Sequence, residues 1–249
     1  MASPAQVVPD FVQLAAHPVR WRLLSELATG DYRVRELVEL IGQPQNLLSY
    51  HLRLLRGGKL VSARRSSADA RDTYYHLDLE RCAQALTDAG AALHPALHPG
   101  PTPPPRHPGP APTVLFTCTG NSARSPIAEA LLRRHADHVE VTSAGSHPRP
   151  QLHPHAVQAL NEGYGIDLTG QRPRSLATMT DRHFDYVISL CDKVREVCPD
   201  FGDHTRRIHW SIPDPAASKA AQKDAHRAFV HTAAEIDTRV RHLLPVLTP

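Results

Sequence analysis

Long apolar runs, cysteine and an excess of charge of one sign are all scarce in this 249-residue chain. No run of about 18 apolar residues occurs, so we expect neither a membrane-spanning helix nor a membrane partner. The chain begins Met1-Ala2-Ser3-Pro4, without the basic and apolar regions of a secretory signal, which predicts a cytoplasmic location. A net charge of +3 permits a nucleic-acid partner without requiring one. Four cysteines in a reducing compartment favour reactive thiols over a disulfide framework.

Proline, by contrast, is abundant in one segment. Residues 94–112 read HPALHPGPTPPPRHPGPAP, which excludes a helix or a central strand and predicts an extended linker. We therefore expect a first domain over residues 1–93 and a second over residues 113–249. The linker histidines, His94, His98 and His107, are expected to be solvated, because Pro95 interrupts the helical spacing that a metal-binding pair would need.

Apolar spacing in the first domain predicts three helices, a two-stranded hairpin and a closing helix. The predicted helices cover residues 11–28, 33–41, 45–56 and 79–93, and the strands cover 60–64 and 73–77. This order is typical of a mainly α winged helix-turn-helix fold.

The stretches AHPVRWRLLSEL and LSYHLRLLRGGKLV, followed by the hairpin, resemble the ArsR family of repressors over residues 10–93. The resemblance implies a regulator that binds an operator palindrome in double-stranded DNA as a homodimer formed through the first domain. The third helix would read the DNA, and a basic stripe over residues 51–71 would contact phosphates or the minor groove. The alternative is a solvated charged face. The candidate DNA contacts are Gln45, Asn46, Ser49, Tyr50, Arg53, Arg64 and Arg65.

The chain departs from this family at the usual inducer site. Many ArsR repressors sense arsenite through two cysteines in the helix before the recognition helix. Arg33 and Arg35 occupy those positions here, and arginine cannot ligate arsenic. Cys82 alone cannot provide two thiolates within one chain. The usual inducer site is therefore expected to be missing.

The second domain begins with a β-rich run at residues 113–117 and continues into Cys118 and the C-x5-R-S motif. A helix is predicted from about Pro126 to His135. A loop between a strand and a helix directs backbone N–H groups at an anion. Cys118 would be the nucleophile, and Arg124 would bind the oxyanion. Ser125 would donate a hydrogen bond to the Cys118 thiolate, and Gly120 would let the backbone turn inward. The predicted oxyanion-binding loop comprises Thr119, Gly120, Asn121, Ser122, Ala123 and Arg124.

Together with its continuation RSPIAEALL, this motif resembles low-molecular-weight tyrosine phosphatases and the arsenate reductases built on the same fold, over residues 113–245. The resemblance implies an α/β fold with an open parallel sheet, whose site lies at the carboxyl ends of the strands. It also implies that Asp214 is the general acid. Some of these reductases hold potassium at the positions of Asn121, Glu129, Ser143 and Asp167. Alternatively, Asn121 braces the loop and Glu129 faces solvent.

Two features favour a reductase over a phosphatase. The spacing of Cys191 and Cys198 resembles the redox pair of thioredoxin-coupled arsenate reductases, which implies a thiol relay from Cys118 through Cys191 to Cys198. Ala216 and Ala217 follow Asp214-Pro215, where tyrosine phosphatases of this fold place aromatic residues.

The sequence therefore predicts an arsenate reductase for arsenic resistance fused to a DNA-binding regulator. An external reductant, thioredoxin or a low-molecular-weight thiol, would supply electrons, with no tightly bound cofactor. Three alternatives stay open: a tyrosine phosphatase tethered to a DNA-binding domain, a regulator that uses the second domain as an oxyanion or redox sensor, and a pair of purely structural cysteines.

Overall fold

A computed structural model describes residues 8–94, 97, 111–217 and 222–247, with only the backbone at residues 222 and 223. The chain forms two compact units, Met1–Pro103 and Pro104–Pro249. The predicted linker lies almost entirely outside the described residues, and so do His98 and His107. None of the described helices is long and apolar enough to cross a membrane.

The first unit combines five helices with a small antiparallel sheet, over the residues described. In chain order these elements are α1 (Asp10–Ala15), α2 (Pro18–Leu27), β1 (Tyr32–Arg33), α3 (Val34–Ile41), α4 (Gln45–Gly57), β2 (Val61–Arg65), β3 (Thr73–Leu77) and α5 (Leu79–Leu93). β3 pairs with both β2 and β1, which gives the order β1-β3-β2.

The single helix predicted over residues 11–28 is wrong, because α1 and α2 are separate helices. Pro18 has no N–H and restricts the residue before it to extended backbone, and His17 accordingly has φ −84° and ψ 128°. The Nδ1 of His17 accepts a hydrogen bond from the Val19 N–H at 3.2 Å, so His17 caps the start of α2. The apolar periodicity continued through this break and concealed it.

The helices of the first unit pack through a leucine-rich core. α2, α3 and α4 each bury residues spaced three or four apart, as an amphipathic helix does. These residues are Leu23, Leu24, Leu27, Leu37, Ile41, Leu48, Leu52 and Leu55. Three packed helices followed by the β2–β3 hairpin form a winged helix-turn-helix, and the predicted fold of the first unit is confirmed.

The second unit alternates strands and helices. Its elements are β4 (Thr113–Cys118), α6 (Arg124–His135), β5 (Glu140–Gly145), α7 (Pro154–Tyr164), β6 (Tyr186–Ser189), α8 (Asp192–Val197), β7 (Arg206–His209) and α9 (Gln222–Leu243). The strands form one parallel sheet in the order β5-β4-β6-β7. This arrangement confirms the predicted open parallel α/β fold.

The register of the central strands brings three loops together. Cys118 at the end of β4 lies beside Gly145 at the end of β5, and Thr117 lies beside Ser189 at the end of β6. The interior of β4 is fully buried, since helices cover a parallel sheet on both faces. The loop after β4, the segment after β5 and the start of α8 therefore meet at one edge of the sheet.

Candidate active site

The loop between β4 and α6 carries the predicted nucleophile. Cys118 is 2% exposed, and its Sγ lies 3.0 Å from the Oγ of Ser125. The Nδ2 of Asn121 donates to the same Oγ at 2.9 Å, so the Ser125 hydroxyl keeps its own hydrogen for the sulfur. A hydroxyl that donates to sulfur is suited to hold a thiolate.

The backbone of this loop is also suited to an anion. Among the described hydrogen bonds, the N–H groups of residues 119–124 donate to no protein acceptor. Buried backbone N–H groups are almost always paired in folded proteins. A run of available N–H groups before a helix is therefore a binding site for a tetrahedral oxyanion.

Asn121 braces the loop from inside. Its φ of 43° is left-handed, which asparagine tolerates better than most residues. Its Nδ2 donates to the Oγ of Ser143 at 2.8 Å, and its Oδ1 accepts from the N–H of Arg174 at 2.6 Å. The side chain thus ties the loop to β5 and to the segment around residue 174.

Two glycines act by close approach. A Cβ at Gly145 would lie 2.7 Å from the carbonyl oxygen of Thr119 and 2.8 Å from the N of Asn121, so no side chain fits there. The prediction that Gly120 provides a special backbone turn needs correction, because its φ is not positive. A Cβ at Gly120 would instead lie 3.2 Å from the Cγ of Arg149.

Arg124 links the loop to the predicted general acid. Its side chain is almost fully buried, and its Nη1 donates to the carbonyl oxygen of Ile212 at 3.0 Å. Its Nη2 lies 3.5 Å from the Oδ2 of Asp214, whose side chain is 46% exposed. Asp214 therefore sits at the mouth of the site, where it can exchange protons with solvent and with a leaving oxygen.

Cys118, Arg124 and Asp214 line a cleft of about 870 Å³. Residues 147–154 form one wall of this cleft, and sequence reasoning did not identify them. His153 belongs to this wall, where burial and the adjacent His155 lower its pKa while Asp214 opposes that shift. The lining also includes Ala216, and no Phe, Tyr or Trp appears among the described lining residues.

A second thiol lies beside the loop. Cys191 is 2% exposed, and its Sγ is 3.3 Å from the Oγ1 of Thr119, the residue after the nucleophile. The parallel pairing of β4 and β6 produces this proximity, because only Leu190 separates Cys191 from the end of β6. Thr119 is thus the described contact between the loop and Cys191.

Cys198 is placed differently. It lies at the far end of α8, half-buried against the core of the second unit. Burial raises the pKa of its thiol, and the charge of Arg207 opposes the rise only in part. All four cysteines are free. Cys191 therefore lies against the loop, whereas Cys198 lies at the opposite end of α8.

A comparison with models of protein families identifies the family of the second unit. Residues 113–248, more than half of the chain, match the model described as low molecular weight phosphotyrosine protein phosphatase. The chain belongs to this family. Residues 17–63 match the model described as bacterial regulatory protein, arsR family, which covers α2 to the middle of β2.

Several relatives of this phosphatase-family chain are named arsenate reductase. The protein from Shouchella clausii is 34% identical over 129 residues, which are 51% of this chain and 91% of the relative. The protein from Bacillus licheniformis is 35% identical over 52% of this chain and 92% of the relative. Among solved structures, the thioredoxin-dependent arsenate reductase of Corynebacterium glutamicum is 32% identical over 56% of this chain and 62% of that chain, with a TM-score of 0.44.

Three of the four residues predicted to hold potassium meet in this family member. The carboxylate of Glu129 is 1% exposed and accepts from the Oγ of Ser143 at 2.6 Å, and Ser143 contacts Asn121. Asp167 is not part of this group, because it is exposed and its Oδ1 accepts from Thr169.

Three basic or amide side chains also contact the Glu129 carboxylate, and sequence reasoning identified none of them. Arg174 forms a short ion pair with Oε2, and the Nε2 of Gln171 donates to the same oxygen at 3.2 Å. Arg133 lies 2.7 Å from Oε1. Within the described part of the chain, no three histidine, cysteine or acidic residues could hold a metal ion together.

The ArsR-type unit exposes the predicted DNA contacts. Gln45, Asn46, Ser49, Tyr50 and Arg53 are exposed on α4, while Arg65 is exposed and Arg64 half-buried on β2. The guanidinium of Arg53 lies 5.7 Å from the centre of the Tyr50 ring. One helix face and one strand of the wing therefore present the predicted contacts to solvent.

Arg33 and Arg35, at the positions of the usual inducer cysteines, bind the wing. Arg33 Nη1 and Arg35 Nη2 lie 2.9 Å and 3.1 Å from the Oδ2 of Asp72, just before β3. Arg33 also pairs with Glu36 at 2.9 Å. Cys82 is buried in α5, and burial raises the pKa of its thiol to about 11. These arginines thus contribute to the structure of the wing.

Proposed function

We propose that this chain reduces arsenate to arsenite through Cys118, Cys191 and Cys198, and that its first domain is a DNA-binding regulator of arsenic resistance. The names of the relatives support the substrate. The observation that carries the proposal is the position of Cys191, 3.3 Å from Thr119 in the oxyanion loop. A phosphatase does not need a thiol there, whereas a reductase needs one within reach of the nucleophile.

The first step is attack on the bound oxyanion. The free N–H groups of residues 119–124 and the guanidinium of Arg124 bind the arsenate oxygens, and the Cys118 thiolate attacks arsenic. An As–S bond forms as an As–O bond breaks, and Asp214 protonates the oxygen, which leaves as water. Ser125 supports the thiolate before the attack.

The next steps transfer two electrons. The Cys191 thiolate attacks the Cys118 sulfur, the As–S bond breaks, and its electron pair remains on arsenic, which departs as arsenite. The Cys198 thiolate then attacks Cys191, so a Cys191–Cys198 disulfide forms and Cys118 leaves as a thiolate. An external dithiol such as thioredoxin, or a low-molecular-weight thiol system, reduces that disulfide and completes the cycle.

Turnover with two substrates tests this assignment. We expect wild-type protein to oxidise thioredoxin in an arsenate-dependent manner and also to hydrolyse p-nitrophenyl phosphate. Cys191→Ser should lose arsenate turnover and keep most of the ester hydrolysis, because water can attack a phosphocysteine without a second thiol. Cys82→Ser is the matched control and should keep both activities. If Cys191→Ser retained thioredoxin-linked turnover, the proposed relay would be wrong.

A tyrosine phosphatase is the second candidate, because Cys118, Arg124 and Asp214 alone suffice for ester hydrolysis. The family's name favours it. Ala216 weighs against it, since the described lining of the cleft offers no aromatic ring to hold a phenol. Efficient hydrolysis of phosphotyrosine peptides without arsenate turnover would favour the phosphatase. A regulator that only senses oxyanions or redox state would show neither activity.

The regulatory half of the proposal rests on the exposed face of α4 and the basic wing. We propose that a homodimer formed through the first domain presents two such faces to a palindromic operator. Binding of the full chain to its own promoter DNA, measured by fluorescence anisotropy, should weaken steeply as salt rises. Each phosphate contact should lower the logarithm of the binding constant with a slope of about −0.9 against the logarithm of the salt concentration. Absent binding, or an affinity that does not change between about 50 and 200 mM salt, would contradict this role.

A further inference from the structure

A buried polar network lies beneath the start of α8. The Nε2 of His209 is 3.1 Å from the Oδ1 of Asp192, and its Nδ1 is 2.8 Å from the Oγ of Ser189. All three residues are at least nine-tenths buried. Because a carboxylate only accepts hydrogen bonds, the Nε2 of His209 carries the hydrogen and donates it to Asp192.

This network fastens a helix to the sheet. Ser189 ends β6 and His209 ends β7, and these two residues are partners in the parallel register of the strands. Asp192 is the first residue of α8 and directly follows Cys191. The His209–Asp192 bond therefore joins the edge of the sheet to the residue that adjoins the second thiol of the relay.

The relay requires α8 to open. Cys191 and Cys198 flank the helix, so their Cα atoms are separated by about 10 Å at the rise of an α-helix. A disulfide needs Cα atoms about 4.4–6.8 Å apart. The Cys191–Cys198 disulfide can therefore form only after α8 unwinds or shifts, and such a movement strains or breaks the bond between Asp192 and His209.

We propose that Asp192 and His209 form a clasp that holds α8 closed in the reduced protein and sets how readily the Cys191–Cys198 disulfide forms. They are positioning residues, since neither is among the described residues that line the cleft around Cys118. The proposal rests on the proposed relay. The step it controls is a thiol–disulfide exchange: the Cys198 thiolate bonds to Cys191, and Cys118 departs as a thiolate, with no net change in oxidation state.

The redox equilibrium of the Cys191–Cys198 pair tests the clasp directly. Full-length Asp192→Asn and His209→Gln variants are equilibrated in glutathione buffers, and the disulfide is quantified by mass spectrometry after thiol alkylation. Loss of a buried charge-assisted hydrogen bond from the closed form should shift this equilibrium toward the disulfide about tenfold or more. Hydrolysis of p-nitrophenyl phosphate should change less than about twofold, which a general loss of structure would not allow.

His135→Gln is the matched control. His135 pairs with Asp237 at 2.7 Å, between α6 and α9 and away from α8, so its loss should leave the equilibrium unchanged. Ser189→Ala removes only the outer partner and should shift the equilibrium in the same direction by a smaller factor. If Asp192→Asn and His209→Gln lose ester hydrolysis, the equilibrium measured for Ser189→Ala tests the clasp in their place.

An equilibrium within about twofold of wild type in every clasp variant that still hydrolyses the ester would overturn the proposal. The same conclusion follows if wild-type protein forms no Cys191–Cys198 disulfide in oxidised glutathione. Neither result depends on arsenate, so the clasp can fail while arsenate turnover stands. Conversely, absent arsenate turnover with a shifted equilibrium would reject the proposed function alone.

Discussion

Replacing Arg174 with alanine removes one of the two arginines that pair with the buried carboxylate of Glu129, close to the oxyanion loop. The Glu129 carboxylate is 1% exposed and has two arginine partners. Arg174 forms a short ion pair with it, and its Nε also donates to the carbonyl oxygen of Ser143 at 3.0 Å. Losing a hydrogen bond to a buried charge costs about 1.5–3 kcal/mol, and a neutral one costs about 1 kcal/mol. We therefore expect Arg174→Ala to lower the free energy of unfolding by about 3 kcal/mol.

Arg133→Ala is the matched control, because it removes the other arginine from the same carboxylate. The Arg133 side chain is 57% exposed, so solvent screens its charge and water can take its place on the carboxylate. We therefore expect Arg133→Ala to cost only about 1 kcal/mol. The assay is urea inactivation, followed by the loss of p-nitrophenyl phosphate hydrolysis. With a slope of about 1–3 kcal/mol per molar urea, the two midpoints should differ by about 1 M.

Potassium provides a second arm for this experiment. In wild-type protein the guanidinium of Arg174 already neutralises Glu129, so exchanging sodium for potassium should not move the midpoint. In Arg174→Ala a cation can occupy the vacated space, and potassium should restore part of the lost stability. Equal midpoints for the two arginine variants would refute the reasoning, because the buried carboxylate would then not depend on Arg174.

Three further predictions concern the acid, the thiols and the DNA contacts. Asp214→Asn should reduce both arsenate turnover and ester hydrolysis by about 100-fold or more, measured as kcat, because the leaving oxygen loses its proton donor. Burial raises the pKa values of Cys82 and Cys198, so iodoacetamide should alkylate both thiols more slowly at pH 7 than it alkylates an exposed thiol. The alkylation rate should keep rising to a higher pH than for an exposed thiol, and rapid labelling at pH 7 would contradict their burial. Arg65→Ala should weaken binding to all DNA sequences about equally, whereas Gln45→Ala should change the preferred sequence, as competition binding would reveal.

The sequence predicted the parts of the site whose signals are local. The spacing between Cys118 and Arg124 lies within one loop, and the strand before it and the helix after it are adjacent in the chain. The motif therefore predicted a strand, loop and helix with a thiol at its base, and the structure has this arrangement. The role of Cys191 was implied by the resemblance of the Cys191–Cys198 spacing to a redox pair, and the parallel pairing of β4 and β6 brings Cys191 to the loop.

Several of the residues that were missed act across long separations in the chain. Arg174 meets Glu129 across 45 positions, and His209 meets Asp192 across 17. No periodicity or spacing marks such pairs, because they depend on where two segments cross after the sheet has formed. The break before Pro18 is different, since its signal was local, but the apolar period outweighed it.

The central claim, that the three cysteines form a relay, is tested most directly by trapping its intermediate. Full-length Cys198→Ser is given one equivalent of arsenate, free thiols are blocked, and the disulfides are mapped by mass spectrometry. The account predicts one equivalent of arsenite and a Cys118–Cys191 disulfide, because the resolving thiol is absent. Arsenite release without that disulfide, or continued thioredoxin-linked turnover by this variant, would contradict it.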